Sequence, residues 1–167
     1  MHIGSLIDKK AYNYEWAADG KPFPIARFRN LSPIGPAGAM YSTIGDMDKW
    51  ARAIFYPNKT LAQKNREHFY PNNQGYSYGI MHSKLSIQKG QKINFAFVNN
   101  PSQADENLKD FIWHNGQIAG TFALIGFLPA RKIHLIVLSN IGFTFPQQDF
   151  MTSVLMSVEG GESPPSD

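Results

Sequence analysis

The chain has 167 residues, 43% hydrophobic and 13% aromatic, which suffices for a buried core and argues against disorder. Its net charge of +3 is spread over scattered basic residues (Lys9-Lys10, Arg27, Arg29, Lys84, Lys89, Arg131-Lys132), which speaks against the clustered footprint of a nucleic-acid binder. The absence of cysteine excludes disulfides, thiolate nucleophiles and Cys-based zinc sites.

In chain order, the start MHIGSLIDKK lacks the charged-then-apolar layout of a signal peptide, so any export signal is expected upstream of it. No apolar run reaches membrane-spanning length. Residues 1–36 read as a mostly irregular wrapping segment, with aromatics and prolines among polar residues (YNYEW, KPFPIARFRN, LSPIGP). Such segments cover a core or border a binding site. A helix is expected next, with Thr43 as N-cap, Asp46 three residues on as in a capping box, and Met47, Trp50, Ala51, Ile54 and Phe55 at helical spacing before Pro57. A weaker helix is expected over 59–68.

From Gly75 the pattern turns to strands. GYSYG is expected as one strand with YSYGIM, followed by KINFAFV (92–98), the polar loop NNPSQADENLKD and a short strand FIWH (111–114) leading into HNG. TFALIGFL (121–128) and KIHLIVLSN (132–140) are joined by the hairpin-length Pro129-Ala130-Arg131. The apolar run from Ile133 to Leu138 predicts burial on both faces. A last amphipathic helix is expected after Pro146, ended by Gly160, with residues 160–167 a disordered tail. The fold class is α+β, an antiparallel sheet flanked by helices.

Two serines invite a catalytic reading. Gly75-Tyr76-Ser77-Tyr78-Gly79 fits G-x-S-x-G, but a nucleophile elbow needs a buried strand before it and a helix after it. YPNNQ precedes it and a strand-like run follows, so Ser77 is set aside. The one S-x-x-K, Ser86-Ile87-Gln88-Lys89, lies between strands at an expected hairpin tip and not at a helix start, where the lysine would sit one turn below the hydroxyl. Of the other histidines, His134 reads as a hydrogen-bonded core residue, and His68 and His82 lie near loops or strand edges. No histidine pair has metal-ligand spacing with carboxylate support, so neither a metal nor a cofactor is expected.

Three blocks occur in order: PAGAMYST followed by DMDKW, then GYSYG, then HNG with Gly120 downstream. Together they resemble the C-terminal part of the serine β-lactamase-like superfamily, which holds class C β-lactamases, D,D-peptidases and related esterases. The first resembles its P-A-G-G-x-x-S-T segment, the second its Y-G-x-G strand, and the third its K-T-G or H-x-G motif on the strand lining the active site. The likeness runs from about residue 30 onward, and over 37–159 it implies a partial β-lactamase/transpeptidase-like domain. The chemistry implied is amide or ester hydrolysis through an acyl-enzyme. By resemblance His114 orients substrate or tunes the general base, and the backbone N–H of Gln117 is an oxyanion donor. Asn115 and Gly116 bind substrate, with Gly116 letting its backbone approach. Asn140 matches a family asparagine, although capping the following turn is its simpler role. An extracytoplasmic or periplasmic location is implied by the same likeness.

The family's S-x-x-K and Y-x-N motifs do not precede residue 36, and Tyr56-Pro57-Asn58 and Tyr70-Pro71-Asn72 follow the P-A-G block. The nucleophile and its base are therefore expected outside this chain, which is expected to be inactive alone. The alternatives are a non-catalytic module binding a peptide or cell-wall fragment, and an independent esterase using Ser77 or Ser86. In the family the strand matching KIHLIVLSN pairs with a strand from the N-terminal portion, so an exposed edge and homo-oligomerisation are expected here.

Overall fold

The computed structural model describes residues 11–24, 35–56, 75–86, 94–97, 108–142 and 146–160. The readings at 59–68, His68, Lys89 and 161–167 lie outside these residues. The elements in order are β1 (Tyr14–Trp16), β2 (Pro22–Pro24), α1 (Gly35–Gly38), α2 (Ile44–Phe55), β3 (Tyr76–Ser77), β4 (Ile80–Ser86), β5 (Asn94–Phe97), β6 (Leu108–Ile118), β7 (Thr121–Leu128), a 3-10 turn (Pro129–Arg131), β8 (Ile133–Ser139) and α3 (Gln147–Gly160). The main sheet has the order β3-β4-β6-β7-β8, with β5 added to β4. The mix is α+β, as the patterning implies.

Contacts divide the chain into two compact units, Met1–Lys49 with Asn115–Leu124 and Ile136–Phe145, and Trp50–His114 with Ile125–Leu135 and Pro146–Asp167. In the second unit, Ile54, Leu85, Phe111 and Leu155 are almost wholly buried. The end of α2 packs on β7, where the Phe55 and Phe127 rings stack at 4.9 Å. Tyr56 meets Phe127 edge-on at 5.3 Å. The Tyr56 hydroxyl donates to Lys132 O at 2.7 Å and lies 3.1 Å from His134 Nδ1. Its single hydrogen is used on the carbonyl, so His134 Nδ1 is the donor in the second bond. His134 is hydrogen-bonded as expected, but it is half-buried and not a core residue, because β8 ends the sheet order.

The α2 cap forms with a variation: Asp46 N–H donates to Thr43 Oγ1 at 3.2 Å, while the Thr43 hydroxyl donates to the Asp46 carboxylate at 3.1 Å. The carboxylate thus takes the cap's own hydroxyl. Trp50 departs from the expected stripe, being 51% exposed while Ala51, Ile54 and Phe55 are buried. The buried face centres on those three and leaves Trp50 at its edge.

Three strand readings need correction. GYSYG is not one strand: Tyr76–Ser77 pairs with Ile80–Met81, and Tyr78 (φ 47°) and Gly79 (φ 80°) form the two-residue loop. Two positive φ values are what a type I′ hairpin demands, and tyrosine there costs roughly 1–2 kcal/mol against a right-handed conformation. FIWH is the middle of an eleven-residue strand that carries HNG within it. The strand buried on both faces is β7, where every residue from Leu124 to Leu128 is buried. β8 ends the sheet order and is only half-buried, with Leu138 40% exposed. An edge strand is less covered than a central one, whatever its hydropathy.

In the first unit, the segment expected to be irregular holds a ribbon, β1 against β2, with Glu15 opposite Phe23. Tyr14 forms a parallel bridge with Ile141. Tyr14 N–H donates to Asn140 O at 2.8 Å and Gly142 N–H donates to Tyr14 O at 3.3 Å.

Candidate functional site

The candidate residues lie on β6 and on the segment following β8. β6 is fixed by its register with β4, which runs from Ser86↔Leu108 to Met81↔Trp113. The Phe111 and Trp113 rings stack at 6.0 Å, and Trp113 Nε1 donates to the fully buried Ser83 Oγ at 2.9 Å. β7 makes room with Gly126, where a Cβ would stand 2.5 Å from Phe111 Cζ. The strand leading to His114 is thus pinned by packing that tolerates little shift.

His114 is half-buried, and its imidazole lies beside the Tyr76 ring, with centroids 6.1 Å apart and planes tilted by 51°. Burial lowers its pKa below the ordinary 6.5, so the ring is neutral at pH 7. A neutral imidazole offers one donor and one acceptor, which suits orienting a polar group or taking a proton.

Gly116 is exposed, has no positive φ, and a Cβ added to it would meet nothing within 4 Å. Gly35, in a short helix, shares that open space, whereas three other glycines contrast with it. Gly79 needs its φ of 80°. Gly120 has φ 80° and would place a Cβ 2.5 Å from Asn13 Cβ. Gly142 would place one on Glu15 Oε1. Nothing among the described residues calls for glycine at 116.

Asn115 is half-buried on the same strand. Gln117 Nε2 donates to Gly142 O at 2.8 Å, so this side chain braces the segment after β8. Asn140 Nδ2 donates to Tyr12 O at 2.9 Å, a bond to a distant segment and not the expected turn cap. Ser139 makes the local turn instead, its Oγ accepting from Ile141 N–H at 3.1 Å. Gln117 and Asn140 therefore join one lattice linking residues 12–15, 117–120 and 140–142.

That lattice includes a residue the sequence reading passed over. Glu15, 9% exposed, accepts the Gly120 N–H at 2.8 Å. The available signal was a lone carboxylate among aromatics in YNYEW, which reads equally as surface. Tyr76 was also missed, since its place beside His114 depends on the hairpin turn.

Ser77 sits at the end of a strand that turns straight into another, without the following helix an elbow requires. Ser86 lies opposite Asn94 at one end of the β4–β5 pair, and the expected hairpin tip lies outside the described residues. A separate cluster joins β4 to β6: His82 Nε2 and Lys84 Nζ lie 2.6 and 2.7 Å from the same Asp110 oxygen. Burial raises the Asp110 pKa, but the hydrogen bonds from Lys84 and His82 outweigh it and leave it below the ordinary 3.8. Among the described residues no helix is long and apolar enough to cross a membrane. A shallow groove on one face of α3, lined by Phe150, Val154 and Val158, holds no ionisable group.

The family model described as Beta-lactamase matches residues 5–154, spanning both HNG and the P-A-G block. No curated protein and no solved structure matches the chain. With a match over most of its length and the α+β sheet in place, the chain belongs to the Beta-lactamase family.

Proposed function

We propose that this chain supplies the His114–Gln117 strand as one wall of an acyl-transfer site in a serine hydrolase. The S-x-x-K and Y-x-N elements would come from polypeptide outside the sequence given. The observation carrying this reading is Gly116, an exposed strand glycine with open space above it and no conformational or packing reason to be glycine. A close-lying substrate backbone supplies that reason. In this reading the neutral His114 orients the substrate or assists the general base, and Asn115 contacts the substrate. The Gln117 N–H faces the developing oxyanion, a role worth about 3–4 kcal/mol of barrier. Asn140, its amide committed to Tyr12 O, supports the wall from behind. The substrate is a small amide or ester, or a peptide.

A second reading, a non-catalytic module holding a peptide or cell-wall fragment against the same strand, is favoured by the placement of the sole S-x-x-K. Its serine is a strand residue, paired with Asn94. Labelling with a fluorophosphonate and with a penicillin separates the readings. The hydrolase reading expects no label on the chain alone, and labelling of an added fragment bearing S-x-x-K and Y-x-N once the two are mixed. Binding without labelling in any mixture supports the module. Covalent label on Ser77 or Ser86 overturns both.

The half-buried β8 at the end of the sheet is also proposed as the place where a second copy adds a strand. Light scattering that gives a monomer mass at high concentration would refute it.

A further inference from the structure

We propose that Glu15 is a positioning residue for the acyl-transfer wall: its carboxylate holds the Ala119-Gly120 loop at the end of β6 and so fixes where the Gln117 backbone N–H stands toward the substrate. The role rests on reading Asn115–Gln117 as that wall, and it names what sets the wall's geometry. Glu15, Gln117, Gly120 and Gly142 all lie in the first compact unit.

Three observations carry it. First, the contacts close a ring. Glu15 Oε1 accepts the Gly120 N–H at 2.8 Å, and Gln117 Nε2 donates to Gly142 O at 2.8 Å. The Gly142 N–H in turn donates to Tyr14 O at 3.3 Å, next to Glu15 in the chain. Both ends of the 117–120 stretch are therefore tied to β1, one directly and one through Gly142. Second, the ring has no slack. A Cβ on Gly142 would fall on Glu15 Oε1, Gly120 N and Ile118 O, and one on Gly120 would stand 2.5 Å from Asn13 Cβ. Three backbone segments meet closer than a side chain permits, so a shift in one is passed to the others. Third, the loop has a form that a hairpin does not favour by itself. Gly120 has φ 80° while Ala119 lacks a positive φ, the signs of a type II turn. Two-residue hairpin loops favour types I′ and II′, which match the strand twist, whereas type II splays the strands. The N–H taken by Glu15 belongs to the Ala119–Gly120 peptide, the central peptide of that turn. An acceptor fixed on one side selects the orientation of this peptide.

A residue needed only to fill space there would be apolar, because a buried carboxyl group is costly unless it is hydrogen-bonded. β1 is fixed by other bonds: Tyr14 N–H donates to Asn140 O at 2.8 Å, and Asn140 Nδ2 donates to Tyr12 O at 2.9 Å. Glu15 thus reaches the loop from a settled frame. Without its oxygen the central peptide is free to flip, and the Gln117 N–H three residues back is displaced from the oxyanion position. Misplacement of this kind weakens binding and catalysis although no group that touches substrate has changed.

The test follows the Gly116 and Gln117 amide signals by NMR on the whole chain, titrated with N-acetylglycine methylamide as a minimal uncharged amide. The wild type is expected to show saturable shifts at both. Glu15→Ala is expected to weaken binding about three- to tenfold, and Glu15→Gln, which keeps an oxygen for the Gly120 N–H, to stay within about twofold of the wild type. Ile54→Val loosens the buried core of the second unit, controls for lost stability and is expected to bind as the wild type does. Gln117→Ala cuts the ring at its other tie and is expected to weaken binding too, which keeps the test decisive should Glu15→Ala fail to fold. Wild-type affinity in Glu15→Ala or in Gln117→Ala refutes the positioning role and leaves the wall standing. Equal weakening in Ile54→Val reduces the effect to stability and refutes the role as well. If the wild type moves neither Gly116 nor Gln117, the wall itself is refuted and the positioning role falls with it.

Discussion

Glu15 and Gly120, 105 positions apart in the chain, are joined by a hydrogen bond from the glycine N–H to the buried carboxylate oxygen at 2.8 Å. Gly142 lies so close to the same oxygen that no side chain fits there. Glu15→Ala would leave a buried donor unsatisfied, which costs about 1–3 kcal/mol. Glu15→Gln keeps an acceptor and is expected to lose less than half as much. Urea-denaturation midpoints at fixed m-value check the order wild type, Gln, Ala.

Acid should weaken the fold in two steps with assignable origins. Burial lowers the folded-state pKa of His114 below 6.5, so the unfolded chain binds that proton more readily. Its contribution is complete above about 6.5 and is lost as pH falls from there towards the folded value. Asp110 is depressed below 3.8 in the folded state, because the bonds from Lys84 and His82 outweigh burial. Its contribution is present above about 3.8 and is lost as pH falls through the lower folded value. Asp110 is 42% exposed, so its share is at most about 1 kcal/mol. Stability measured from pH 8 to pH 3 should lose its upper slope in His114→Gln and its lower slope in Asp110→Asn.

Replacing Tyr78 by asparagine should stabilise the protein. Asparagine tolerates positive φ and suits the first position of a type I′ loop, so a gain of about 0.5–1 kcal/mol is expected. An unchanged or lower melting temperature in Tyr78→Asn would show that the tyrosine ring contributes more to the fold than its exposure implies.

Two glycines on adjacent strands should respond oppositely to alanine. At Gly126 a methyl would run into the ring of the fully buried Phe111, and overpacking of this kind costs about 1–3 kcal/mol. At Gly116 the methyl meets open space, and the change should stay within about 0.5 kcal/mol. Thermal unfolding of the two variants side by side is sufficient. A large loss from Gly116→Ala would remove the principal support for the substrate-facing reading of β6.

What the sequence made legible follows the range of the interactions involved. The α2 cap is local, and Thr43 with Asp46 could be read from four consecutive residues. The helical patterns of α2 and α3 and the apolar run of β7 were equally visible. Position within the sheet was not: β7 and β8 are similarly apolar, and only strand order makes one central and the other an edge. The hairpin at Tyr78-Gly79 was hidden because tyrosine is a strand former and is rarely used where φ is positive. Within the candidate site, HNG stood out as a motif. The roles of Gln117, Asn140 and Glu15 in bracing the framework depend on partners 25, 128 and 105 positions away. No local pattern encodes such pairings.

The parallel bridge between Tyr14 and Ile141 also bears on how the protein is made. The hydrogen bond from Asn140 to Tyr12 spans 128 positions. At about 5–20 residues per second, the ribosome takes on the order of ten seconds to deliver the second partner after the first. During that interval the Tyr12–Trp16 stretch, with the carboxylate of Glu15, lacks the partners it has in the folded unit. This unit therefore closes only after residue 142 has been made, so the Tyr12–Trp16 stretch waits more than a hundred residues for its partners.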